Sequence, residues 1–162
     1  MIVRSFAPIA APDAKILILG SMPGVASLDA GQYYAHPRNA FWPIMGALFG
    51  AGPDLAYAER VERLKSRGVA VWDVLQACER EGSLDSNIRS EVPNDFAAFF
   101  AAHAELRTLA LNGGKAAASF RKHAARLLPD GAALHALPST SPAHAARSFE
   151  AKCDLWRAAL CA

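Results

Sequence analysis

Between residues 33 and 42 the chain reads YYAHPRNAFW, and those side chains suggest a particular chemistry. An asparagine amide can orient a water molecule, and neighbouring aromatics can stack on a flat ring. Tyr34, His36, Asn39 and Phe41 are therefore candidate pocket residues, with Asn39 as the candidate for water. Asn39 also stands where a helix should begin, and capping that helix is the alternative use of its side chain. A second group is GSMPG at 20–24. Glycine lets backbone approach a ligand closely. Gly20, Ser21, Met22, Pro23 and Gly24 can thus line a pocket or simply turn the chain. A third group is LPSTSPAHAARS at 137–148, where Ser139, Thr140 and Ser141 precede a predicted helix. Hydroxyls and free N–H groups at a helix start bind anions; His144 lies in the first turn of that helix and Arg147 one turn on.

Other chemistries lack their signatures. The five histidines, His36, His103, His123, His135 and His144, show no HExxH or comparable pattern, so no metal site is expected. No GxSxG, GxGxxG or Walker A sequence occurs. The three cysteines, Cys78, Cys153 and Cys161, have no CxxC spacing, which argues against a disulfide framework and for a reducing, cytoplasmic location. No apolar run approaches a membrane span, and the first residues form no secretory h-region. A net charge of +2 permits a polyanion partner, but any nucleic-acid surface must come from local clustering.

These groups need a frame to bring them together. At 162 residues, 52% of them hydrophobic, the chain suits one domain spanning 1–162. KILILGS, VAVWDVL, LRTLALNGG and ALHALPSTS read as strands, the first as a buried parallel one. NAFWPIMGALFG, DLAYAERVERLKSRG, DFAAFFAAH, KAAASFRKHAARLL and PAHAARSFEAKCDLWRAAL read as helices, with Asn94 or Asp95 capping the third and Pro142 opening the last. MPGVASLDAGQYYAHPR and CEREGSLDSNIRSEVPND read as long polar loops, a length that usually marks function. Alternation of strand and helix predicts an α/β fold with a short parallel sheet, whose ligands bind beyond the carboxyl ends of the strands. Those ends carry Gly20-Ser21, Asp73, Asn112-Gly113 and Pro138-Ser139. Asp73 and Asn112 can thus meet the edge of a ligand, with Ser86 and Asn87 closing over it; the alternative for Asp73 is a turn cap.

In this order, ILGSMPG, AHPRNAFW and LPSTSPAHA resemble the uracil-DNA glycosylase superfamily. GSMPGVASLDAGQYYAHPRNAFW and DVLQACEREGSLDSNI are most similar to its hypoxanthine-DNA (deoxyinosine) glycosylase branch. The resemblance covers about Lys15 to Trp156. It implies a three-layer α/β/α fold around a four-stranded parallel sheet. It implies excision of a deaminated base, hypoxanthine with uracil or xanthine as further substrates, from double- or single-stranded DNA. It implies no cofactor and no metal. Several branches carry a catalytic Asp or Asn in the first motif, where the mismatch-specific pattern is GINPG; Met22 stands at that position here, and a thioether orients water poorly. The deoxyinosine branch is similar in giving the catalytic role to the asparagine of HPRN, which is Asn39. A monomeric, monofunctional enzyme is expected, Lys115 being the nearest amine for lyase chemistry. Two alternatives stand beside it: a weakly catalytic nucleic-acid-binding module of the same fold, and a hydrolase of free nucleosides.

Overall fold

The computed structural model describes residues 1–143 and 146–161. Its elements in chain order are β1 (Ile2–Arg4), β2 (Ile16–Gly20), α1 (Val25–Ala30), α2 (Phe41–Phe49), α3 (Tyr57–Ser66), β3 (Val69–Asp73), β4 (Leu75–Glu79), β5 (Arg89–Pro93), α4 (Phe96–Ala102), β6 (Thr108–Asn112), α5 (Gly114–His123), β7 (Ala133–Leu137) and α6 (Phe149–Leu160).

Four parallel strands form the central sheet in the order β3-β2-β6-β7. Every residue of β2 and β3 is buried, as expected of strands covered on both faces. On one face Ile16, Ile18, Val69 and Val71 pack against Phe41, Ile44 and Met45 of α2, Leu64 of α3, and Cys153 and Trp156 of α6. On the other, Leu17, Leu19, Trp72 and Leu111 meet Phe96 and Phe99 of α4 and Phe120 of α5. The result is the expected three-layer α/β/α sandwich. Its register matters for the site: Gly20 pairs with Asp73, Leu19 with Leu111, and Asn112 with Leu137. The functional ends of all four strands therefore lie along one edge.

Three local expectations change. First, a second sheet joins β1, β4 and β5 in antiparallel pairs, where the sequence suggested one strand running to Leu75 and then a loop. The chain leaves the parallel sheet at Val74, whose N–H donates to the Gly20 carbonyl at 2.8 Å. Apolar residues continue straight through this change of sheet, so the composition conceals it. Second, the loop after GSMPG contains the short helix α1, which begins at Gly24 without a side-chain cap and ends at Gly31 in the left-handed region (φ 65°). Third, α6 starts at Phe149 and not at Pro142. The Ser148 side chain caps it by accepting the Ala151 N–H at 3.1 Å, a stronger start signal than a proline alone. Asp95 caps α4 as expected, through the Ala98 N–H at 3.0 Å.

Candidate active site

A cavity of about 590 Å³ opens at the carboxyl edge of the sheet, and residues from all three sequence motifs line it. Gly20 to Gly24 form one wall, Tyr34, His36 and Asn39 another, and Ser139, Thr140 and Ser141 a third. Asp73 and Asn112 supply the sheet edge, while Ser83 to Ser86 cover the remaining side.

Asn39 lies two residues before Phe41, the first residue of α2. Its Oδ1 accepts the Phe41 N–H at 2.9 Å, and the same side chain lines the cavity. An amide oxygen has two acceptor positions. The second stays available to a water hydrogen. Its segment is held from both sides: the Ala40 N–H donates to the Thr140 carbonyl at 2.9 Å, and the Arg38 N–H donates to His36 Nδ1 at 3.1 Å. With Nδ1 accepting, a neutral His36 ring carries its proton on Nε2.

The tyrosine pair is anchored, not mobile decoration. Tyr33 is buried; its hydroxyl donates to the Ala7 carbonyl at 2.8 Å, and its own carbonyl accepts Trp42 Nε1–H at 2.8 Å. Tyr34 adopts the left-handed region (φ 54°), strained for a residue with a large side chain. Its ring stacks on Phe41, with centroids 4.0 Å apart. Phe41 itself is fully buried one layer behind the cavity, so it backs the pocket through Tyr34 without lining it. Burial pushes the hydroxyls of both tyrosines up, away from ionisation, and the neighbouring Asp73 adds to the effect.

Asn112 is almost fully committed. Its Nδ2 donates to the Tyr34 hydroxyl at 3.2 Å and to Thr140 Oγ1 at 3.0 Å, and its Oδ1 accepts the Thr140 N–H at 3.0 Å. This amide clamps three chain segments together, leaving one acceptor position on Oδ1 for a ligand. Thr140, 2% exposed, belongs to the same clamp. Ser139 and Ser141 are different. Their oxygens accept the N–H groups of Ser141 and Ala143, which leaves both hydroxyl hydrogens to donate outward. The loop is fixed from below by α6, where Trp156 Nε1 donates to the Pro138 carbonyl at 3.1 Å and Lys152 Nζ to the Ser139 carbonyl at 2.6 Å. A glycine is required beside it: a Cβ on Gly113 would come within 2.9 Å of Ser139 Cβ.

Arg147 lies away from the main cavity, at a smaller recess of about 170 Å³ shared with Arg38 and Lys152. His144 falls outside the described residues. Met22, 8% exposed, lines the cavity and packs into the core on one side. Ser86 lines the cavity as expected, whereas Asn87 is exposed and donates to the Glu81 carbonyl at 3.3 Å.

Three residues that hold the walls of the cavity carry no sign of that place in the sequence. Asp85 accepts the Ser21 hydroxyl at 2.7 Å and ties the covering segment to the first motif. Arg80, 3% exposed, donates through Nη2 to the Pro23 carbonyl at 2.6 Å and holds GSMPG in place from behind. Ser27 Oγ accepts the Ala35 N–H at 3.1 Å. An arginine within CERE gives no sequence sign of burial, because a charged residue after a strand ordinarily faces solvent. Lys115 is engaged elsewhere: its Nζ pairs with Glu91, which also meets Ser119 and His123. Among the described residues the cavity is lined by no lysine, and no group of three or more His, Cys, Asp or Glu is placed to hold a metal ion.

The fold is thus an α/β/α sandwich whose parallel sheet carries a polar cavity at its carboxyl edge, walled by residues of GSMPG, HPRN and LPSTS. The chain belongs to the uracil DNA glycosylase superfamily, whose family model matches residues 7–162. Among its relatives, a hypoxanthine DNA glycosylase of Methanosarcina acetivorans is 40% identical over 117 residues, covering 72% of this chain and 74% of that protein. A hypoxanthine DNA glycosylase of Methanosarcina barkeri is 37% identical over 113 residues, covering 69% and 72% respectively. A solution NMR structure of a Methanosarcina acetivorans protein, assigned as a uracil DNA glycosylase, superimposes with a TM-score of 0.80 at 34% identity, covering 95% of each chain.

Proposed function

We propose that this protein is a monofunctional DNA glycosylase that hydrolyses the N-glycosidic bond of deaminated bases, with hypoxanthine in DNA as its principal substrate and uracil or xanthine as further ones. The observation that carries the reading is Asn39, whose Oδ1 is fixed at the start of α2 by the Phe41 N–H while the side chain lines the cavity. The two hypoxanthine DNA glycosylase relatives support the choice of base.

The reaction follows from this geometry. A target base leaves the stack and enters the cavity. Breaking the bond between C1′ and the base nitrogen leaves positive charge on the sugar and an electron pair on the base. Asn39 accepts one hydrogen of a water molecule through Oδ1 and so turns the water oxygen toward C1′. The amide is neutral and serves to place the water, not to remove its proton at the start. The new C1′–O bond yields an abasic sugar, one water proton passes to solvent, and the base departs with a proton from solvent. The engagement of Lys115 by Glu91 supports hydrolysis over an amine-based lyase route.

We also infer a single unit that acts as a monomer in the cytoplasm on double- or single-stranded DNA. Free Cys78, Cys153 and Cys161 support a reducing location. No helix of the described residues is long and apolar enough to cross a membrane. The test is incubation of the purified protein with end-labelled duplexes and single strands carrying hypoxanthine, uracil or xanthine. Abasic-site formation, fastest at hypoxanthine, is expected. Binding without cleavage, or cleavage of free nucleosides alone, would overturn the reading.

A further inference from the structure

Asp73 ends β3 on the floor of the cavity and is 3% exposed. It caps no turn. Its Oδ2 is buried without a hydrogen-bond partner among the described residues. Its Oδ1 lies against Gly20, where a Cβ would be only 2.5 Å away. Among the described residues the side chain bonded to this residue is Asn94, and its amide meets the backbone carbonyl, not the carboxyl. A carboxyl that lines a ligand cavity and has an oxygen left without a partner calls for one from the ligand.

The surrounding charges decide which form of Asp73 fills that role. Tyr33 and Tyr34 face it from the loop before α2, Asp85 from the covering segment, and Arg80 from beyond the end of β4. Asp85 carries a like charge and already accepts Ser21; Arg80 donates to the Pro23 carbonyl through Nη2, while its Nε and Nη1, like Asp73 Oδ2, have no hydrogen-bond partner among the described residues. Burial first, and then the Asp85 charge, push the carboxyl up to about 7, with Arg80 opposing. The reaction sharpens the preference. The departing base carries an electron pair and negative charge, so an ionised carboxylate beside it would raise the barrier, whereas an O–H donor would lower it.

Resting on the glycosylase reading above, we propose that Asp73 is a catalytic residue that works as the neutral acid, donating a hydrogen bond to an acceptor atom of the departing base. The proton stays on Asp73 throughout, so hydrolysis balances as already written.

The sign follows. Excision needs the protonated form, so the wild-type rate is level below the Asp73 midpoint and falls as pH rises above about 7, by about tenfold per pH unit. Asp73→Asn keeps an N–H donor but cannot ionise. Single-turnover excision from a hypoxanthine duplex should therefore lose that alkaline fall in Asp73→Asn, and Asp73→Ala should be slower than Asp73→Asn at every pH. Ionisation of the base itself would persist in both variants, which separates it from Asp73. Carbon-13 NMR of the free protein should place the Asp73 carboxyl midpoint near 7. An alkaline fall unchanged in Asp73→Asn, or a midpoint in the ordinary carboxylate range, would overturn the proposal. Failure of the glycosylase reading would look different: no abasic sites with the wild type. In that case free hypoxanthine is the probe. Its binding should weaken about tenfold per pH unit above the midpoint in wild type but not in Asp73→Asn, and absence of that difference overturns the Asp73 assignment by itself.

Discussion

At the residue scale, the cavity depends on side chains that are small where the backbone must come close. Gly20 is the sharpest case. A methyl group there would lie 2.5 Å from Asp73 Oδ1 and 2.8 Å from the Tyr34 hydroxyl, and both groups line the cavity. Gly20→Ala should displace them, cost about 1–3 kcal/mol of stability, and slow excision by more than the loss of folded protein explains. Thermal melts alongside single-turnover rates separate the two effects. Asn112 is the complementary case, because its amide serves three segments. Asn112→Ala leaves the buried Thr140 N–H without its acceptor. A destabilisation of about 1–3 kcal/mol follows, to be read from denaturant unfolding. The pocket types were legible in YYAHPRNAFW, but their division of labour was not. Spacing cannot tell that Phe41 backs Tyr34 while Tyr34 lines the cavity, nor that Asn112 spends its amide on Thr140.

At the element scale, the parallel sheet was legible because the centres of ILILG, VAVWD and TLALN are apolar runs, as strands buried on both faces require. The antiparallel sheet was not. In β4 buried and exposed positions are mixed, and β5 is largely exposed, so their polar residues read as loop. This second sheet has a defined attachment: Glu91 of β5 meets Lys115, Ser119 and His123, all on α5. Burial alone would raise the Glu91 carboxyl, but the hydrogen bonds from Lys115 and His123 outweigh it and hold the group down to about 2. A carboxyl lowered in the folded state stabilises above its unfolded value of 4.5 and loses that contribution as pH falls toward 2. Glu91→Gln should therefore lower the melting temperature most at neutral pH. The difference from wild type should shrink steadily through the acid range, and a difference independent of pH would show that the attachment is not electrostatic.

At the scale of the whole molecule, charge is too sparse for a general attraction to DNA. A net charge of +2 leaves the work to local groups. Ser139 and Ser141 offer outward hydroxyl hydrogens at the cavity mouth, and Arg38 and Arg147 gather at the adjacent recess. Binding should be weak, with a shallow salt dependence corresponding to roughly two to four phosphate contacts. Arg38→Ala and Arg147→Ala should each reduce that slope by about one, in fluorescence titrations over a salt series. A slope unchanged in both would place the DNA path elsewhere on the surface.

The central claim concerns Asn39, and single-turnover excision of hypoxanthine by Asn39→Ala tests it most directly. As a helix cap alone, Asn39 would cost about 1 kcal/mol of stability when replaced, leaving the rate of folded enzyme near that of wild type. As the group that orients water, its loss should slow excision by about 100-fold or more in a protein that remains folded. A folded Asn39→Ala enzyme that excises hypoxanthine as fast as wild type would contradict the account.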